Sequence, residues 1–122
     1  MRAPRFSLTI PVLITVFLVS SAFGQLVSIT TLLANPDRYD GQVVTVSGAV
    51  SAYRERVSRA GNPYTTFRLE EGRSSVAVFA WGHQGLRDGL RVRVTGVFQK
   101  VRRVGRYVFY NEIEAQRIER LP

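Results

Sequence analysis

The chain contains no cysteine, one histidine, one methionine and one tryptophan in 122 residues. Without thiols it has neither disulfides nor thiolate metal sites, so packing and hydrogen bonding alone must hold its fold. A single histidine, His83, leaves too few ligands for zinc. No Gly-x-Ser-x-Gly surrounds any serine, and no Walker-type or dinucleotide glycine pattern occurs. Glu70 and Glu71 are adjacent acids, but their place at a strand end reads as a solvated corner. These absences point to a chain that is not an enzyme and takes no cofactor or metal. Lysine is nearly missing too: Lys100 stands alone, and arginine supplies the remaining positive charge. The planar guanidinium suits bidentate contact with phosphate.

Long apolar runs are equally scarce. Residues 8–19 form the one extended stretch, broken by Thr9, Pro11 and Thr15. Arg2 and Arg5 precede it, and Ala22-Phe23-Gly24 follows with small residues at the cleavage spacing, so residues 1–24 read as a signal peptide. About 12 apolar residues fall short of the ~20 that span a bilayer. The expectation is an exported domain at 25–122, periplasmic or secreted, with no stable membrane span. An uncleaved leader that tethers the chain to the membrane is the alternative.

The charge is unevenly placed. Net charge is +8, from 17 basic and 9 acidic residues. Segments 54–63 and 100–106 carry Arg54, Arg56, Arg59, Lys100, Arg102, Arg103 and Arg106 against Glu55 alone, a net +6. Loss of Arg2 and Arg5 with the leader leaves 15 bases against 9 acids, again +6. Everything outside the two segments therefore balances. If barrel closure brings both segments to one rim, their fields add and attract a polyanion.

Period-two patterning dominates the rest. Ser28 caps a short helix through Ile29, Leu32 and Leu33 that stops near Asn35-Pro36. Strands then follow from Val44 through Val50, from Tyr64 to Glu70, from Ser75 to Trp81, from Leu90 to Lys100 and from Arg106 to Ile118. The two basic segments read as loops, and residues 82–89 as a short connector. Gly48 and Gly96 fall mid-strand, where glycine marks a bulge or bend.

Five strands with these glycines resemble the OB-fold. Over residues 43–113 the chain resembles the nucleic-acid-binding OB domains of the anticodon-binding type found in tRNA synthetases. The matching residues are Val44-x-Val46-x-Gly48-x-Val50, Phe67-x-Leu69-x-x-Gly72, Val76-x-Val78-x-x-Trp81 and Gly89-x-x-Val92-x-Val94-x-Gly96. The resemblance implies an all-β, five-stranded Greek-key barrel with a short N-terminal helix. The helix usual between strands three and four is reduced here to residues 83–88.

In such barrels the loops after strands one and four flank a binding face floored by strands two and three. With Phe67, Leu69, Val76 and Val78 inward, Tyr64, Arg68, Phe79 and Trp81 face outward as that floor. The expected site therefore joins Arg54, Arg56, Arg59, Lys100, Arg102, Arg103 and Arg106 to Tyr64, Arg68, Phe79 and Trp81. Single-stranded nucleic acid or a similar polyanion is the expected partner, since bases stack on aromatics while arginines pair with phosphates. The competing readings are an acidic envelope protein, lipid headgroup or cell-wall polymer as partner, arginines that merely solubilise hairpin tips, and Phe79 and Trp81 packed against the N-terminal helix or barrel rim. Tyr107, Phe109 and Tyr110 read as strand packing, with one of the two tyrosines lining the site as the alternative, and Arg91 and Arg93 read as cross-strand partners of Glu112 and Glu114.

Overall fold

The computed structural model describes residues 24–122; apart from Gly24, the expected leader lies outside the described residues. The chain begins with a two-residue strand β1 (Gln25–Leu26) beside Val44 and Thr45. Helix α1 (Ile29–Ala34) starts where the Ser28 hydroxyl accepts the Thr31 amide at 3.1 Å. It stops at Asn35 because Pro36 has no amide to extend the ladder. That proline instead opens α2 (Pro36–Tyr39), where its missing donor costs nothing. Ile29, Leu32 and Tyr39 are buried with the barrel core.

Five longer strands follow: β2 (Val43–Val57), β3 (Pro63–Glu71), β4 (Ser74–Trp81), β5 (Arg91–Val104) and β6 (Tyr107–Arg120). Hydrogen bonding runs β2–β3–β4–β6–β5 and back to β2, closing the sheet. All these pairings are antiparallel except β4–β6, which is parallel through Val78 opposite Ile113. This is the five-stranded Greek-key OB-fold barrel with a short N-terminal helical segment. The alternating residues supply its interior: Val44, Val46, Val50, Phe67, Leu69, Val76, Val78, Val92, Val94, Phe98 and Ile113 are all buried.

The mid-strand glycines act chiefly through close approach. A Cβ on Gly48 would fall on the Glu70 carbonyl oxygen, and one on Gly96 on the Glu114 carbonyl oxygen. Only Gly96 lies at a register shift, between Thr95 and Gly96 on β5. Gly48 pairs without interruption with β5. The irregularity in β2 falls later, between Ser51 and Arg54, where Ala52 adopts φ 50°. A left-handed alanine is strained, and the bulge redirects the strand beyond it.

The two basic segments are mostly strand rather than loop. Residues 54–57 of β2 pair with 63–66 of β3, and residues 101–104 of β5 pair with 107–110 of β6. Only 58–62 and 105–106 lie outside the strands. Each pair forms a two-stranded arm that outruns the barrel. Because β2 and β5 are antiparallel, Val43 facing Val97 and Ala49 facing Arg91, the arms leave that pair at opposite ends. A single shared rim is therefore replaced by two arms approaching from opposite directions.

The connector between β4 and β5 contains no helix. It is laced to the first arm instead. A ring nitrogen of His83 lies 2.9 Å from the Arg56 carbonyl, the Gly85 amide donates to Glu55 at 3.2 Å, and the Tyr53 amide donates to Asp88 at 2.9 Å. The expected pairing of Arg91 and Arg93 with Glu112 and Glu114 does not form. Register sets Arg93 opposite Glu119, Gln99 opposite Glu112 and Val97 opposite Glu114. Glu112 pairs with Arg102 and Glu119 with Arg117.

Candidate functional site

A groove of about 1020 Å³ crosses the outer face of β3 and β4, between the two arms. Tyr64, Thr66, Arg68, Ala77, Phe79 and Trp81 contribute its floor. Ala52, Arg54, Arg56, Ser58 and Arg59 form the wall from the first arm; Arg102, Val104, Tyr107, Phe109 and Glu112 form the other. Although the arms depart at opposite ends, both bend over one face. Among the described residues, five arginines line the groove against a single carboxylate, Glu112.

Arg54, Arg56 and Arg59 are exposed, and among the described residues none makes an ion pair. Their fields therefore remain available to an anion. Arg68 is held to β4, donating from Nε to the Ser75 hydroxyl at 3.0 Å and from a terminal nitrogen to the Ser75 carbonyl at 3.2 Å. The neighbouring Glu55 does not face the groove. The Tyr53 hydroxyl donates to it at 2.8 Å, and with the Gly85 amide this holds its carboxyl below the usual range.

Three expected basic residues do not line the groove. Lys100 is drawn to α2, its Nζ 2.6 Å from Asp37 Oδ1, while its backbone amide donates to Asp40 at 2.8 Å. The hydrogen bond and charge of Asp37 raise the lysine's affinity for its proton. Arg103 is opposite Val108 and lies on the arm's outer surface; Arg106 is in the turn, its guanidinium 5.7 Å from the Tyr107 centroid. Successive strand residues face opposite sides, so Arg102 and Arg103 cannot both enter the groove.

The aromatic floor is a cluster rather than three open platforms. Tyr64 stacks with Phe79 at 5.5 Å between centroids, and Trp81 meets both rings edge-on at 6.4 and 5.0 Å. Trp81 stays 57% exposed, whereas Phe79 is only 8% exposed. The expectation of an open Phe79 is therefore corrected. Arg102 covers it, the guanidinium carbon lying 4.9 Å from the Phe79 centroid and 4.8 Å from that of Phe109. The same arginine places Nε 2.7 Å from Glu112 Oε1. Burial pushes the Glu112 carboxyl above the usual range, against the pull of Arg102.

Tyr107 and Phe109 were missing from the expected site. Register sets Phe109 opposite Arg102 and Tyr107 opposite Val104, so all four share the groove face. The alternation of Tyr107 and Phe109 with Val108 and Tyr110 was the available signal. Among the described residues no cluster of His, Asp or Glu could hold a metal, and no helix is long and apolar enough to cross a membrane.

No protein-family model matches the sequence, and no curated protein matches it. Solved structures do resemble it in fold. The crystal structure of yeast Stn1 and Ten1 aligns with TM-score 0.64 at 9% identity, over 85% of this chain and 66% of that one. A putative aspartyl-tRNA synthetase from Leishmania major Friedlin aligns with TM-score 0.60 at 15% identity, over 86% of this chain and 22% of that one. The chain thus spans just under two thirds of the first and less than a quarter of the second. At these identities the likeness is one of fold.

Proposed function

We propose that this chain is a non-catalytic OB-fold module that binds single-stranded nucleic acid, or a similar polyanion, in the groove between its two arms. The observation that carries this reading is the convergence on one face of exposed Trp81 with Arg54, Arg56 and Arg59, which make no ion pair among the described residues. Guanidinium groups of that kind engage phosphates at any sequence, and the indole offers a stacking surface to any base. Both features suit a flexible single strand. Kinship with the anticodon-binding type of OB domain is proposed from the strand residues of 43–113. The leader pattern at 1–24 supports work outside the cytoplasm, in the periplasm or beyond.

Intrinsic fluorescence provides the test, because Trp81 is the sole tryptophan. Titration with an oligodeoxythymidylate should quench it, and the affinity should fall as salt rises. Absence of binding, by fluorescence and by anisotropy of a labelled oligonucleotide alike, sinks the proposal. Salt-sensitive binding without quenching would assign the groove to a polyanion that lacks bases.

A further inference from the structure

Among the described residues Glu112 is the only carboxylate lining the groove, and its side chain is 8% exposed. Its Oε1 lies 2.7 Å from Arg102 Nε, yet neither atom has a well-directed hydrogen bond. Meanwhile the Arg102 guanidinium lies against two aromatic rings, at 4.9 Å from Phe79 and 4.8 Å from Phe109. A flat group bearing N–H donors thus lies against two rings and meets a carboxylate. Those are the requirements of a nucleobase.

The bases are not equal before a carboxylate. Guanine presents two adjacent donors, N1–H and N2–H, which match the two carboxylate oxygens as a guanidinium does. Adenine and cytosine set their amino donor beside a ring-nitrogen lone pair, which the carboxylate repels. Thymine and uracil set one N–H between two carbonyl oxygens. We infer that the space between Phe79 and Phe109 is a guanine subsite, with Glu112 as the residue that determines specificity and Arg102 as its place-holder. The entering base replaces the guanidinium on the rings and on Glu112, and the freed Arg102 turns to a phosphate, its natural bidentate partner. This rests on the groove being a single-strand site.

The test uses the purified chain and oligodeoxythymidylates carrying one central guanosine, inosine or thymidine, followed by anisotropy. Inosine lacks only the N2 amino group. Loss of one hydrogen bond to a charged acceptor should weaken binding by about tenfold relative to guanosine. In Glu112→Gln the guanosine and inosine oligonucleotides should bind alike. Equal affinities on the unaltered protein would overturn the guanine subsite while leaving the groove's general role standing, whatever the folding of the variant. Failure of all three oligonucleotides to bind would overturn both. Retention of the guanosine preference in folded Glu112→Gln would remove Glu112 from the role.

Discussion

Replacing Arg54, Arg56 and Arg59 together with alanine isolates the electrostatic contribution of the first arm. All three line the groove, are exposed and lack an ion-pair partner among the described residues, so their removal leaves no acid stranded. Each phosphate contact on a single strand contributes a slope of about −0.7 to log affinity against log salt. Three contacts therefore contribute roughly −2, and between 50 and 200 mM salt they alone account for roughly a 20-fold weakening. The triple variant should lose that share of its salt sensitivity and bind more weakly at low salt. Fluorescence or anisotropy titrations at four or five salt concentrations give the slope directly. Lys100→Ala serves as the control, since its ammonium is engaged with Asp37 outside the groove, and its slope should match the unaltered chain. An unchanged slope in the triple variant, or an equal drop in the control, would refute the placement of the binding face.

Three further outcomes follow from the same geometry. Trp81→Ala should weaken oligonucleotide binding by about 1–3 kcal/mol, the usual worth of a stacked base, while the thermal midpoint stays nearly unchanged; a large fall in the midpoint would mean that the indole is a packing residue. Gly96→Ala should destabilise the barrel by at least about 1–3 kcal/mol, because its methyl group meets the Glu114 carbonyl; urea melts that superimpose on those of the parent would contradict that contact. Glu112 holds its proton more tightly when folded than when unfolded, so its contribution to stability should decline as pH rises from the ordinary carboxylate value through its higher folded value, then level off. Urea melts of the parent and Glu112→Gln across that range measure the difference, and a stability gain with rising pH in the parent relative to the variant would reverse the sign.

The barrel was legible because burial alternates with strand geometry. Val44, Val46 and Val50, Phe67 and Leu69, and Val76 and Val78 sit inside at every second residue, and the sequence shows this spacing without any knowledge of contacts. The arms were illegible as strands for the converse reason. Beyond Tyr53 both faces of β2 meet solvent, the alternation vanishes, and an arginine-rich ladder resembles a loop. Lys100 was misplaced because its partner Asp37 is 63 residues away, on a helix whose docking the sequence does not display. Phe79 has the outward phase that alternation assigns it. Its burial comes from Arg102, a contact between β4 and the far arm that only barrel closure creates. Adding Arg102, Arg103 and Arg106 as one charge overlooked the rule that served the core so well: neighbours on a strand face opposite ways.

The lacing of residues 82–90 onto the first arm makes the two jaws of the groove unequal. Hydrogen bonds through Arg56, Glu55 and Tyr53 splint that jaw to the barrel, while the jaw at 101–110 has its own ladder and the Arg102 cation wedged on Phe79. On the proposed reading, a ligand that displaces Arg102 would break a tie of the second jaw to the barrel, while the hydrogen bonds of the first would stay in place. One side of the groove is thus tied to the barrel through several hydrogen bonds and the other chiefly through one stacked cation.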